Sequence, residues 1–325
     1  MKILYAVQAT GNGHISRAHQ LYPYLREMGE TDIFLSGSNA SLQPDFPVKY
    51  RSKGLSLYYS KCGKLDYWKT ITSIRYHKVI KEAKDLPVEK YDLIINDFEH
   101  ITSRSCQIKK IPSVQFGHQA SFFSKNTPRP SSRSFVGEFL LQNYAPASKY
   151  VGLHFDAYDD FIFSPIIKKE FLEAKPEDHG YLTVYLPAYD HDCIEKILLE
   201  LTPLKVHWFV PNISEPFTKN NITFFPVDQK YFNKSLIYCH ALLTGGGFET
   251  PAEALFLKKK LLVIPIEGQY EQQCNAAALE KVGVKKMAYL NESTKQEFFN
   301  WLKMPPSTFS LLPNHIPQTL EYMMG

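Results

Sequence analysis

The chain alternates short apolar runs with amphipathic stretches, and it does so twice over. Residues 3–7 (Ile-Leu-Tyr-Ala-Val) form an unbroken apolar run, the mark of a strand buried on both faces. From Gly13 to Met28, the residues Ile15, Ala18, Leu21, Tyr22 and Leu25 recur at helical spacing and predict an amphipathic helix. The same alternation predicts strands at 32–36, 92–96, 113–116 and 150–155, a weaker one at 48–51, and helices over 66–86, 99–109 and 135–145. The polar stretch 119–134, with Pro128 and Pro130, reads as a long loop. A charged segment, 164–180, carries two prolines and a glycine and reads as a linker. Beyond it the alternation restarts, with strands expected at 181–186, 205–210, 222–225, 241–244, 261–265 and 286–290. Helices are expected there near 190–201, 228–239, 248–257, 270–282 and 294–302. Alternation of this kind makes parallel sheets with helices on both faces. The expected architecture is α/β, with two doubly wound domains, 1–163 and 181–305, facing each other across a cleft. The tail, 306–325, follows Pro305-Pro306 and is a candidate to pack back onto the first domain.

Composition changes this picture only at its edges. A chain of 325 residues with 44% hydrophobic content can fill two cores. A net charge of +4 is too small to argue for a nucleic-acid partner. The charge is uneven, however: from Lys49 to Lys90 there are 11 Lys/Arg against 4 Asp/Glu, interleaved with Tyr50, Tyr58, Tyr59, Tyr67, Trp68 and Tyr76. That mixture suits an acidic partner or peripheral contact with a membrane surface, or is simply a solvated face with core aromatics. Cys62, Cys106, Cys193, Cys239 and Cys274 include no Cys-x-x-Cys pair, so neither a zinc site nor a disulfide framework is indicated, and reduced cytoplasmic thiols are expected. The N-terminal apolar run is too short for a signal peptide, and no stretch approaches 18 uninterrupted apolar residues.

Chemistry is expected just past the carboxyl ends of the strands, where ligands bind in open parallel sheets. After the first strand, Gly11-Asn12-Gly13-His14 makes a tight loop that opens a helix. Ser16 stands where the dinucleotide fingerprint needs its third glycine, and no Gly-Lys-Ser/Thr follows, so neither that motif nor a P-loop is present. His14 is suited to proton transfer near neutral pH, or it caps or packs the helix start. Asp97, after the strand at 92–96, is placed either to orient His14 or to cap the next helix. His118 and Gln119, after the strand at 113–116, also point toward the cleft.

In the second half, Thr244-Gly245-Gly246-Gly247-Phe248-Glu249-Thr250-Pro251-Ala252-Glu253 joins a strand, a glycine turn and a helix. Three glycines allow close backbone approach and positive φ, and the free N–H groups of the helix start favour an anion. Glu253 and the amides of Gln272 and Gln273 suit a polyhydroxylated ligand. Asp190-His191-Asp192 looks like a metal-binding Asp-x-Asp, but it also sits where a helix cap belongs, and no third ligand is nearby; no metal is expected.

These residues carry a resemblance. The run Gly247-Phe248-Glu249-Thr250-Pro251-Ala252-Glu253-Ala254, followed by Ile264-Pro265, Glu271-Gln272-Gln273-Cys274-Asn275-Ala276 and Leu279-Glu280-Lys281-Val282-Gly283, is similar to the C-terminal domain of GT-B nucleotide-sugar glycosyltransferases. Those enzymes have two Rossmann-like domains; the lipid-II-forming N-acetylglucosaminyltransferase and the UDP-glucosyl/glucuronosyltransferases are the branches most alike. The resemblance implies that Glu253 binds ribose hydroxyls, that Glu271 to Gln273 contact the donor sugar, and that the glycine turn with Phe248 and Thr250 faces the diphosphate. It likewise implies that Gly11 to His14 form the acceptor-side loop, with His14 as base. The family often has His or Arg and a Ser near the turn, where this chain has Gly245 and Gly246. Glu249 puts a carboxylate beside the phosphate position, or caps the helix. Residues 40–90 and 119–180 match nothing in the family.

The expected activity is transfer of a sugar from a nucleotide diphosphate donor, UDP-linked by resemblance, to an acceptor hydroxyl. It would need no metal or other cofactor and would invert the anomeric centre, the nucleotide-sugar being a substrate. A saccharide or lipid-linked acceptor of cell-envelope polysaccharide synthesis at the inner membrane face is compatible with the basic aromatic stretch. Two other readings stand beside it: an isomerase resembling the UDP-N-acetylglucosamine 2-epimerases, and a nucleotide-sugar-binding protein without catalysis.

Overall fold

The computed structural model describes residues 1–37, 40, 42–54 and 76–325. The expected helix at 66–86 is therefore seen only from Tyr76, and residues 55–75, with Cys62 and half of the basic aromatic stretch, lie outside the described residues.

The first domain is a parallel sheet of order β3-β2-β1-β4-β5-β6-β7. Its strands are β1 (Lys2–Gln8), β2 (Glu30–Ser36), β3 (Tyr50–Ser52), β4 (Leu93–Asp97), β5 (Val114–Gly117), β6 (Lys149–Leu153) and β7 (Ile162–Phe163). β1 is central, and Ile3 to Val7 are fully buried, as their unbroken apolar run requires. Helices α1 (Asn12–Met28), α2 (Tyr76–Asp85), α3 (His100–Lys109) and α4 (Phe135–Asn143) cross over between strands. On α1, Ile15, Ala18, Leu21 and Leu25 face the core at the spacing read from the sequence.

The second sheet has the order β10-β11-β9-β8-β12-β13-β14. Its strands are β8 (Tyr181–Tyr185), β9 (Lys205–Val210), β10 (Phe217–Lys219), β11 (Ile222–Pro226), β12 (Ala241–Gly245), β13 (Lys260–Ile264) and β14 (Lys285–Lys286). All pairs are parallel except the edge hairpin β10–β11. Without β10, the order matches that of the first domain. A four-residue helix, α5 (Lys169–Leu172), lies between the sheets. The helices of the second domain are α6 (His191–Leu199), α7 (Gln229–Tyr238), α8 (Glu249–Phe256), α9 (Tyr270–Lys281) and α10 (Lys295–Lys303). The architecture is thus two doubly wound α/β domains, the GT-B arrangement expected.

Three departures are local. The stretch 118–123, read as loop, is a 3-10 turn. The strands β7 and β10 are too short to give a period in the sequence. The strand expected at 286–290 is only Lys285–Lys286. The last helix, α11 (Ile316–Met324), buries Leu320 and Met323; Asn314 donates to the Ser164 carbonyl at 2.7 Å, and the Tyr322 ring meets Phe163 at 5.2 Å.

The topology places the site. β1 and β4 are neighbours with Val7 opposite Asp97, so the loop after β1 and the end of β4 share one edge. β12 and β13 are neighbours with Gly245 opposite Ile264, which sets the glycine turn beside the loop leading into α9.

Candidate active site

His14 lies in the first turn of α1, whose N-cap is Gly11 with extended φ of −162°. Its Nδ1 is 2.8 Å from Asp97 Oδ1. Asp97 does not cap α3; Glu99 does, accepting from the N–H groups of Ile101 at 2.8 Å and Thr102 at 2.6 Å. Phe98 between them sits at φ 56°, a left-handed position that costs a non-glycine residue on the order of 1–2 kcal/mol. That kink turns Glu99 back onto the helix and leaves the Asp97 side chain to the cleft edge.

Asp97 is fully buried. Burial alone would raise its carboxyl, but Arg17 and then His14 outweigh burial and hold it at about 2. As a carboxylate it only accepts, so a hydrogen shared between it and His14 belongs to Nδ1, and that tautomer leaves Nε2 without one; Arg17 Nη2, which can only donate, lies 3.0 Å from the same Nδ1 and favours the other tautomer. Tyr5 donates its hydroxyl to Asp97 Oδ2 at 3.4 Å. Gly117, at φ 127°, ends β5 directly behind: a Cβ there would stand 2.8 Å from Asp97 Oδ1.

Arg17 was not singled out in the sequence, yet it is the hub. It is 3% exposed on the otherwise apolar face of α1. Nε donates to Asp97 Oδ2 at 3.0 Å, Nη2 donates to Asp97 Oδ1 at 2.7 Å, and Nη1 donates to Glu249 of the second domain. Its spacing of three from His14 was the available signal, since that puts both on one face of the helix.

In the second domain, α8 starts at Glu249 directly after the glycine turn. None of Gly245, Gly246 and Gly247 uses positive φ, so the conformational freedom expected of them is not what the turn requires. Gly246 is needed for space: a Cβ would meet the Gln272 carbonyl oxygen at 2.7 Å. Around Gly247 a Cβ would meet nothing within 4 Å, so this bend is open. Thr250 is half-buried in the first turn of α8. Glu253 is 2% exposed and pairs with Lys168 Nζ at 2.9 Å through Oε1, while Oε2 has no hydrogen-bond partner among the described residues. Burial raises its carboxyl, and Lys168 works against the rise. A buried carboxylate oxygen without a donor is what a ligand hydroxyl would satisfy.

Gln272 uses its Oε1 to accept from the N–H groups of Gly246 at 3.1 Å and Ile266 at 3.0 Å, tying the two loops together. Gln273 lies beside it, half-buried on the first turn of α9. Glu271 accepts from Gln119 Nε2 at 3.1 Å, across the domain boundary.

The two halves meet through further side chains. Phe248 stacks on His118 with ring centroids 4.0 Å apart and planes 11° from parallel. His118 is buried; its Nδ1 lies 3.1 Å from the Leu153 carbonyl and its Nε2 2.6 Å from Asn275 Oδ1. Burial lowers its pKa, with Glu271 opposing. His118 and Phe248 are therefore domain-interface residues here. The Glu249 carboxylate turns across to Arg17, and its Cγ is 3.1 Å from where a Cβ on Gly13 would stand. Asn12 accepts from the Leu42 N–H at 3.0 Å, which steadies the acceptor-side loop. Away from the site, Asp190 caps α6 by accepting from the Asp192 N–H at 3.1 Å, the capping alternative of the two open for that segment.

The geometry agrees with what comparison with known proteins finds. The sequence model described as "Glycosyl transferase family 1" matches residues 1–305. Among curated proteins none matches at a significant level. Among solved structures, UGT2 of Phytolacca americana, complexed with UDP-2fluoro-glucose and pterostilbene, is similar at a TM-score of 0.60 and 12% identity, covering 99% of this chain and 92% of that one. UGT89C1 of Arabidopsis thaliana, complexed with UDP, gives 0.58 and 12%, covering 99% and 93%. MurG of Acinetobacter baumannii gives 0.55 and 12%, covering 99% of each chain. At such identities the likeness speaks for the fold, and the family match speaks for the activity: the chain belongs to glycosyl transferase family 1 and is a glycosyltransferase of GT-B architecture.

Proposed function

We propose that this glycosyltransferase moves a sugar from a UDP-sugar to an acceptor hydroxyl by a single inverting displacement that needs no metal or other cofactor. The observation that carries the reading is the His14–Asp97 pair, 2.8 Å apart on the first domain, facing the glycine turn and helix start of the second. With Nδ1 donating to Asp97, Nε2 takes the proton of the acceptor hydroxyl as that oxygen attacks the anomeric carbon. The bond from that carbon to the diphosphate oxygen breaks, and the leaving diphosphate gathers negative charge. N–H groups at the turn other than that of Gly246, which Gln272 holds, stabilise that charge together with the α8 dipole in place of a cation. Glu253 holds the ribose, and Gln272 and Gln273 border the sugar. UDP in the solved relatives named above supports the choice of nucleotide.

The protein is proposed to act in the cytoplasm on a saccharide or lipid-linked acceptor of the cell envelope, at the membrane surface. No helix among the described residues is long and apolar enough to cross a membrane. On α4, Phe135 (87% exposed), Val136 and Phe139 project into solvent, with exposed Arg133 just ahead of the helix, which suits contact with an anionic bilayer.

The test is His14→Ala. Transfer is expected to fall roughly 10²–10⁴-fold while UDP affinity stays nearly unchanged. Equal loss of UDP binding, or full activity, removes His14 from the role of base. Incubation with UDP-N-acetylglucosamine alone should yield no epimer; epimer formed without acceptor would favour the isomerase.

A further inference from the structure

The donor reading leaves one residue unexplained. Glu249 is the first residue of α8, immediately after the turn proposed to hold the diphosphate, and a carboxylate there competes with the anion the helix start favours. An acid in the first turn suits the dipole of its own helix, but that is not where its carboxylate hydrogen-bonds. It reaches instead to Arg17, which is buried in the other domain and already gives two hydrogen bonds to Asp97. Two independent features mark the same surroundings as built for a ligand. Gly247 has open space, and buried Glu253, one helical turn further, has an unpartnered oxygen. A guanidinium matched to a carboxylate is also matched to a phosphate, and it makes the same forked hydrogen bonds to either.

We propose that Arg17 is a donor-positioning residue held by Glu249 until an anion arrives: a diphosphate seated at the start of α8 takes over the Nη1 side of the guanidinium from Glu249, and Glu249 accepts a proton from solvent as it is displaced. This rests on the donor reading given above. Arg17 then links donor occupancy to the His14–Asp97 pair, because the side chain that meets the diphosphate also fixes both oxygens of Asp97.

The charges around Glu249 set the sign. Arg17 and His14 face it from α1, Asp97 from β4 and Glu253 from its own helix, with Tyr5 behind Asp97. Burial pushes the Glu249 carboxyl up to about 7 against the pull of Arg17, and Glu253 and Asp97 add to the rise. Replacing the guanidinium by a diphosphate removes the favourable neighbour and adds an unfavourable one. The carboxyl therefore binds its proton more tightly with donor in place, and above neutral pH binding must take up a proton.

The experiment is calorimetric titration of UDP into the whole chain in two buffers of different ionisation enthalpy, at about pH 7 and about pH 8. The wild type should take up about half a proton per UDP at pH 7 and approach one at pH 8. Its affinity should weaken several-fold between the two. Glu249→Gln should abolish that uptake and bind UDP roughly tenfold more tightly at pH 8. Arg17→Lys keeps the buried charge but loses the fork, and it should bind UDP several-fold more weakly. A merely structural bridge between domains would make both variants weaken binding alike, so opposite signs are the signature. If UDP binds wild type and Glu249→Gln equally, with the same proton count, the inference is overturned and the donor reading stands. If UDP binds neither, the donor reading falls and takes the inference with it.

Discussion

The two sides of the cleft share a strand order but differ in how their polar groups are used. On the first domain, His14, Asp97, Arg17 and Tyr5 satisfy one another within a buried network, and Asp97 alone accepts from three side chains. On the second, the glycine turn opens at Gly247, and Glu253 keeps a buried oxygen without a donor. A prebuilt network suits proton chemistry, which needs fixed geometry and a fixed tautomer. Unsatisfied groups suit a side that is completed by its ligand, because an orphaned buried oxygen costs stability that a ligand hydroxyl recovers. The contrast fits the roles proposed above, acceptor activation on the first domain and donor binding on the second.

The sharpest way to break this contrast is at Asp97. Asp97→Asn removes the charge that two donors of buried Arg17 face, and it should destabilise the chain by roughly 3–5 kcal/mol, read by urea unfolding. Any folded fraction should lose transfer far more than UDP binding. An unchanged unfolding midpoint would mean that the network is not what holds this side together.

Next come the glycines, which the structure separates. Gly246→Ala drives a methyl against the Gln272 carbonyl and should cost about 1–3 kcal/mol of stability. Gly247→Ala meets no protein atom and should leave stability within about 0.5 kcal/mol, yet weaken UDP about tenfold. Equal destabilisation by both would show that the open bend is not a ligand site.

Glu253→Ala should weaken UDP binding by about 1–2 kcal/mol through loss of the ribose contact. Unchanged affinity would remove the ribose assignment and leave Glu253 as only a partner of Lys168.

A further effect is on stability against pH. Glu249 carries a folded-state pKa of about 7, above the ordinary value of 4.5. Between those two values the folded chain binds more protons than the unfolded one, so this residue makes stability fall as pH rises through the window. The fall should be on the order of 2 kcal/mol and should vanish in Glu249→Gln; melting curves at pH 5 and pH 8 read it. The same slope in both forms would place the titration elsewhere.

Much of this was legible in the sequence, and the residues show why. The unbroken run Ile3–Val7 and the α1 period fixed the two central elements of the first domain because burial on both faces and on one face leave different patterns. The glycine turn and its helix were legible because their residues are contiguous. Asp97 was read as either a cap or a partner of His14, and nothing local could decide, since the answer depends on Glu99 taking the cap and Phe98 accepting a left-handed φ. Arg17 was missed because its partners, Asp97 and Glu249, are 80 and 232 residues away. For the same reason the interface uses of Phe248 and His118, and the tie that Gln272 makes between two loops of the second domain, could not be read: each depends on a partner from another element.

The most direct measurement of the central claim is the structure of crystals soaked with UDP. The account predicts the diphosphate against the backbone of Gly245 to Phe248, the ribose hydroxyls on Glu253, and Nε2 of His14 facing the cleft beside them. UDP absent from that turn, or bound elsewhere with Glu253 still paired only to Lys168, would contradict it.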